Sequence, residues 1–553
     1  MHDLKVVMYI RLKYSKKAKH PTMQIVEGVR EGDKVKQKTI AHLGVIKDQR
    51  DLEKLKKLAD NLIARLEKEG LPSDGKIKVQ YLLHQKTIYD GFNMTVDKLM
   101  ELVGFSQLLK KAQGRRQFNV LEIVKLILAQ RFHAPSSKLR TFERQGEHGY
   151  NEFELQHFYR SMDAIEPLAQ EFQKQAFQIV SEYSPVPMDC FFFDVTTLYF
   201  ESVEQDELRD FGFSKDQKHH SVQIVLALVV DSQGIPIAYE AFKGNLAETK
   251  TFIPVLDALK QRFSIKNVTV VCDRGMASKS NVEALQQNEF CFVLATKLKS
   301  ISKKESINDL KKYRPLPNQD HLSKEEKVQF YTCPHPQYEN TLLISTYSPH
   351  RAKKDKEDRE RLIKKLKEKL GNNSDETSIK KVISNNGYKK YTSIEEGSGL
   401  IFNQKAAEDE ELWDGFHGIA VSNNAKLSVT DALSRYKELW RVEEAFRVAK
   451  CTLKTRPIFH WKPSRIKSHV LICFMNLFLE RFLEMLLKQN STPLTPDRIR
   501  QALIGVHTMT FIDAQSQKEA TASSSLSEDA EKIFKLLKLS TQGRVIFESP
   551  CCA

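Results

Sequence analysis

Residues 190–200 read CFFFDVTTLYF, a run of apolar, aromatic and β-branched residues with one carboxylate, Asp194, near its middle. Side chains of this kind fit a pleated, buried surface, so the run predicts a central strand. Two more strands follow at 222–231 and 235–242, joined as a hairpin by Ser232-Gln233-Gly234. Asn245 and Glu248 stand at the spacing of a helix N-cap and its carboxylate partner, which opens a helix running to Phe263. A fourth strand at 268–272 ends at Asp273, and a helix over 281–287 and a fifth strand at 290–296 complete the set.

Strand, strand, strand, helix, strand, helix, strand is the order of an RNase H-like core, three antiparallel strands continued by parallel ones with helices on the faces. In that arrangement the first strand lies beside the end of the fourth, which makes Asp194 and Asp273 neighbours, and a later helix crosses them. Residues 436–454, YKELWRVEEAFRVAKCTLK, supply such a helix. Leu439, Val442, Phe446, Ala449 and Leu453 recur every three or four residues as a packing stripe. Tyr436, Glu443, Arg447, Lys450 and Lys454 form a polar stripe beside it. Alone, that stripe reads as a solvated face with an i,i+4 pair between Glu443 and Arg447. Opposite two sheet carboxylates, Glu443 reads as the third acid of one site. Three such acids repel unless cations gather them, and hard oxygen donors suit Mg²⁺ or Mn²⁺. Two ions about 3.5 to 4 Å apart, bridged by Asp194, would activate a water or a 3′-hydroxyl and stabilise the leaving oxygen of a phosphodiester.

The fold class expected is multidomain α/β, an RNase H-like catalytic core with an insertion and N-terminal accessories. Residues 1–90 read as a small β-rich domain plus a helix, with strands flanking Glu31-Gly32-Asp33. The basic stretch 11–20, with Tyr14, lies either along a nucleic-acid backbone or in a solvated loop. Residues 91–183 carry amphipathic helices with basic connections such as Lys110, Lys111, Arg115 and Arg116, which suit a DNA-binding module. The core takes 184–300 and 427–490, and a β-containing insertion domain with a charge-dense helix occupies 301–426. A C-terminal helical tail, 491–553, includes a Ser/Ala-rich linker at 516–528.

Lys and Arg number 86 against 71 acidic residues, a formal charge of +15, and that surplus points to a polyanion, nucleic acid before anionic membrane. The most apolar window, 470–487, is interrupted by Glu480, Arg481 and Glu484 and reads as a buried helix, not a membrane span. The start, MHDLKVVMYIRLK, lacks a signal-peptide core, which suggests a cytosolic protein. Eight cysteines without a CxxC pair indicate neither zinc nor a disulfide framework, and Cys333 with His335 reads as a loop pair. His219 and His220 read as surface residues. Neither GxxxxGK[ST] nor a strand-borne GxGxxG occurs, so no nucleotide cofactor is expected.

These features resemble the DDE transposases of bacterial insertion sequences, in the superfamily named for its Y-x2-R-x3-E-x6-K signature. Tyr436, Glu443 and Lys450 match that spacing within WRVEEAFRVAK. FFFDVTTLYFES around Asp194, GIPIAYEAFKGNLAETKTF after it and VVCDRG at Asp273 extend the match over residues 185–300 and 410–480. The resemblance implies that Asp194, Asp273 and Glu443 bind the metal ions, and that Tyr436 and Lys450 contact phosphates of the element's end. It implies a homodimer on paired ends, acting on double-stranded terminal inverted repeats and target DNA through a hairpin intermediate, in a bacterial cytoplasm at the nucleoid. Leu439 stands where the signature has arginine, so Arg447 or Arg441 is expected to take that phosphate, with Lys454 on the same surface. Arg274 either binds a phosphate or pairs with the triad. Trp413 either stacks on a displaced base or packs in its hairpin. The alternatives are an RNase H-fold nuclease without strand transfer and a domesticated, non-catalytic DNA-binding protein.

Overall fold

The computed structural model describes residues 7–14, 20–31, 34–69, 82–213, 220–263, 268–301, 307–319, 323, 326–371, 386–395, 399–456, 458–513, 519–540 and 546–547. The chain forms two compact units. One comprises Met1–Met100, Gln117–Phe158 and Leu486–Ala553; the other comprises Glu101–Arg116 and Tyr159–Met485. The helical stretch 91–183 is therefore divided between the units and is not a module of its own.

In the first unit β1 (Val7–Lys13), β2 (Thr22–Glu31) and β3 (Lys34–Val45) make an antiparallel sheet. The helix Gln49–Glu69 covers one face, where Met23, Ile25, Ile40 and Ala59 share a core. Strand β1 adds a third member to the expected hairpin, whose turn residues Gly32 and Asp33 lie outside the described residues. A second sheet pairs β4 (Leu82–Ile88) with β16 (Thr508–Asp513), followed by β17 (Glu519–Ser523) and β18 (Ile546–Phe547). The C-terminal region is thus not a purely helical tail, and part of the expected linker is a strand. EATAS in β17 alternates only small alanines with polar residues and carries no large apolar or aromatic side chain, so its conformation rests on pairing with β16.

The second unit is built on a nine-stranded sheet. At its centre, β5 (Cys190–Tyr199), β6 (Gln223–Asp231) and β7 (Pro236–Lys243) are antiparallel. Strand β8 (Thr269–Cys272) runs parallel to β5, and β9 (Cys291–Thr296) parallel to β8. This is the RNase H-like order expected. Phe191, Phe193, Val270 and Cys272 point to one face and share a core with Phe252 and Val255 of the helix Glu248–Phe263 and Val282 and Leu285 of the helix Lys279–Gln287. The β6–β7 turn closes on Gly234 at φ +82°, a conformation that favours glycine, while Asp231 accepts from the backbone of Gln233 and Ile235.

Residues 301–426 do not form a separate domain. Their strands β10 (Arg314–Pro315), β11 (Gln329–Pro334), β12 (Thr341–Tyr347) and β15 (Phe416–Ser422) continue the core sheet, with β15 antiparallel to β9. Pairing at β9 covers an edge that would otherwise lie open. The hairpin β13 (Thr392–Glu395) and β14 (Gly399–Phe402) forms a two-stranded sheet of its own. Beside it, Leu366 of the helix Pro349–Gly371 shares a small core with Tyr388, Tyr391 and Ala407. Cys333 and His335 are buried around the end of β11, His335 stacked on Tyr338, so they fill space and do not sit in an open loop. The apolar window lies in the helix Pro463–Gln489, with Leu471 and Phe478 fully buried. No described helix is long and apolar enough to cross a membrane.

Candidate active site

The stretch expected to be one helix is two. Tyr436 lies in the last turn of the helix Val429–Lys437, a turn at Glu438 and Leu439 follows, and Trp440–Arg447 carries Glu443. The first piece packs on β8 and β9, the second on β5 and β6. Neighbouring strands of a twisted sheet differ in direction, and the break lets each piece follow its own pair. A π turn, Val448–Thr452, comes next, in which Leu453 N donates to Val448 O. Lys450 lies in that wide turn and donates to the Thr196 hydroxyl on β5.

The parallel register of β5 and β8 pairs Phe193 with Cys272, so Asp194 and Asp273, one step on, stand side by side. Strand alternation turns both away from the core that holds Phe193 and Cys272, toward the face crossed by the helix of Glu443. The Cys272 thiol senses both acids. Burial pushes it well above its usual range, and Asp273 and Asp194 push it further. Asp273 is exposed and accepts from Gly275 N at 2.8 Å, while Asp194 is half-buried. Glu443 and Asp273 line one cleft of about 1510 Å³. Among the described residues, no three His, Cys, Asp or Glu side chains are gathered as a ready metal site. The donor set nevertheless fits hard divalent cations: every donor is a carboxylate oxygen, Asp194 on β5 neighbours Asp273 just past the end of β8, and Asp273 and Glu443 open on the same cleft.

The cleft also receives a cation, Arg351, that the sequence did not assign to the site. Tyr436, Arg274, Leu439, His417 and Arg351 line it, Arg351 being supplied by the helix Pro349–Gly371. The Tyr436 hydroxyl is raised by burial and then by Asp273, with Arg351 and Arg274 opposing. Arg351 meets Asp355 only at 3.6 Å. Arg441 instead pairs with Glu438 at 3.4 Å and lies over Trp440. Arg447 pairs with Glu444 at 3.5 Å, not with Glu443, and Lys454 is exposed beyond the π turn. None of these three lines the cleft, whereas Arg351 and Arg274 do. Trp413 is half-buried at the cleft wall and packs with Phe416 and Leu343, which favours the packing reading. His220 is exposed, and His219 lies outside the described residues.

A second unforeseen feature holds the helix of Glu443 in place. Arg481, on the helix Pro463–Gln489, pairs with Glu444 at 3.2 Å and Glu484 at 2.7 Å. Spacing alone could not reveal that Glu444 turns inward while Glu443 faces the cleft.

His417 packs against Tyr436 with ring centroids 5.1 Å apart, and burial, then Arg351 and Arg274, push it down to about 4. An unfolded histidine titrates near 6.5. Between those values the unfolded chain takes up a proton that the folded chain refuses, so this contribution to stability is lost as pH falls from about 6.5 toward 4. The stability advantage of the parent over His417→Gln is therefore expected to narrow across that window, measured by urea unfolding at several pH values.

A sheet in RNase H order that sets two carboxylates side by side, with a third carried on the helix crossing them, belongs to the class of metal-dependent enzymes that cut and rejoin DNA. The family model of the transposase DDE domain matches residues 186–479, more than half of the chain, and the chain belongs to that family, as a DDE transposase of an insertion sequence. The model of the IS1634 family transposase N-terminal domain matches residues 10–74. No curated protein matches the chain. Among solved structures, the piggyBac transposase synaptic complex with hairpin DNA is 11% identical, with 75% of this chain and 78% of that chain covered at a TM-score of 0.35. The Mos1 transposase paired-end complex with the left transposon end is 10% identical, with 32% and 59% covered at a TM-score of 0.15.

Proposed function

We propose that this transposase cuts and pastes its element as a homodimer on paired terminal inverted repeats, in the cytoplasm at the bacterial nucleoid, passing through a hairpin at the element's end. Asp194, Asp273 and Glu443 would hold the divalent cations, Mg²⁺ or Mn²⁺, that this chemistry uses. Such ions, when bound, lower the pKa of an attacking water or hydroxyl and offset charge on the leaving oxygen. Tyr436, Arg274 and Arg351 hold a backbone phosphate beside the acids, fixing the scissile bond against the cleft wall. Lys450, on Thr196, keeps a positive charge two residues from Asp194 along the same strand face. The observation that supports this reading is the β5–β8 register, in which Phe193 and Cys272, the residues just before the two aspartates, stand opposite each other.

The test is incubation of the protein with end-containing DNA and Mg²⁺ or Mn²⁺, followed by analysis for nicks, hairpins and joined products. Nicks without joining favour a nuclease, and binding without any cleavage favours a domesticated DNA-binding protein. Arg351→Ala is expected to slow end cleavage by roughly ten- to a hundredfold, the worth of a hydrogen bond to a charged group, with an unchanged melting temperature. Cleavage at the parent rate would remove Arg351 from the phosphate site.

A further inference from the structure

The face of the β1–β2–β3 sheet turned away from the helix Gln49–Glu69 is polar apart from the buried Val26, and its side chains are wired across all three strands. Arg11 donates to Gln37 Oε1 at 2.7 Å on β3 and to Gln24 Oε1 at 2.6 Å on β2. Gln37 donates in turn to the Tyr9 hydroxyl at 2.7 Å, and Gln24 Nε2 meets His42 Nδ1 at 2.8 Å. Tyr9, Gln37 and His42 are exposed, as is Lys13 at the end of β1. Between residues 7 and 45 the sequence holds nine Lys or Arg against three acidic residues, so this part of the chain complements a polyanion.

We propose that this open sheet face reads base edges in the major groove of duplex DNA, with Arg11 and Gln37 as the residues that confer sequence preference. Three strands about 4.8 Å apart span roughly 10 Å, which suits a groove about 12 Å wide. Arginine matches the O6 and N7 acceptors of guanine, and glutamine matches the donor and acceptor of adenine. The cross-strand hydrogen bonds hold both groups in place before DNA arrives, which lowers the ordering cost of binding. Lys13 contributes charge without sequence preference. Burial, then Lys13 and Arg11, hold the His42 ring below its usual titration range, which leaves a neutral imidazole on this face. The proposal rests on the transposase reading and adds to it the surface that finds the DNA.

The test uses the full-length chain and a pool of short random-sequence duplexes without added metal. The chain is expected to enrich a preferred sequence, and N7-methylation of guanines within it is expected to block binding. Arg11→Ala and Gln37→Ala are each expected to weaken binding to the enriched duplex about tenfold or more, with binding to unselected duplex nearly unchanged. Gln37 is exposed, so its variant tests the face even where Arg11→Ala loosens the sheet. No enrichment, indifference to methylation, or parent affinity in Gln37→Ala overturns the proposal. A chain that selects through this face yet cuts nothing with Mg²⁺ or Mn²⁺ supports the surface and counts against the transposition reading. Cleavage by a chain whose selection ignores both substitutions does the reverse.

Discussion

Asp194→Asn is expected to lower cleavage of end-containing DNA by about a thousandfold or more while leaving DNA binding within about twofold of the parent. The substitution keeps the size of the side chain but removes the negative charge that would hold a divalent cation. Loss of about 4 kcal/mol of metal-borne stabilisation at the reacting phosphate corresponds to that factor. The strand itself is expected to survive, because the flanking Phe193 and Val195 stay in the core on the other face. A melting temperature close to the parent's, measured with the cleavage rate, would separate lost chemistry from lost structure. Cleavage at the parent rate would disprove the site.

The second large effect is expected from Arg481→Ala, which joins stability to activity. The guanidinium is only 12% exposed and stands between Glu444, 30% exposed, and Glu484, 17% exposed. Removing it leaves two partly buried acids without their shared cation, a loss on the order of 3 kcal/mol. Both groups shift upward, for different reasons: burial raises Glu484 in spite of Arg481, whereas pairing with Glu484 and Glu444 outweighs burial at Arg481. Uptake of a proton by Glu484 would soften the loss at lower pH. Because Glu444 is next to Glu443, the variant is also expected to cut more slowly at a temperature where it remains folded. Denaturant unfolding alongside a cleavage assay measures both. A normal unfolding midpoint would show that the pairs add little, and a full cutting rate that they do not position Glu443.

Much of the core was legible because its information is local. Nearly continuous apolar runs marked β5, β6 and β8, and the Ser232-Gln233-Gly234 gap marked the turn between β6 and β7. The three acids stood out as charges at strand or helix positions otherwise given to packing. The break at Glu438 and Leu439 was not legible, because neither residue is a glycine or proline and the cause lies in the sheet beneath. The continuation of the sheet into residues 301–426 was equally hidden. Strand-like segments show that strands form but not which edge they join, since hydrogen bonding between strands carries no residue-type signal.

What the sequence by itself determined was the order of elements in the core, with Asp194, Asp273 and Glu443 as the candidate acids on them, since periodicity, turn residues and charge act over a few neighbouring positions. What only the tertiary structure decided was the company those residues keep. Arg351 reaches the cleft that Arg441 and Arg447 were expected to serve, Arg481 braces the helix of Glu443, and Arg11 is wired across three strands. Such meetings depend on the registers and crossings of elements tens to hundreds of residues apart, and burial and charge act there through distance in space, not along the chain.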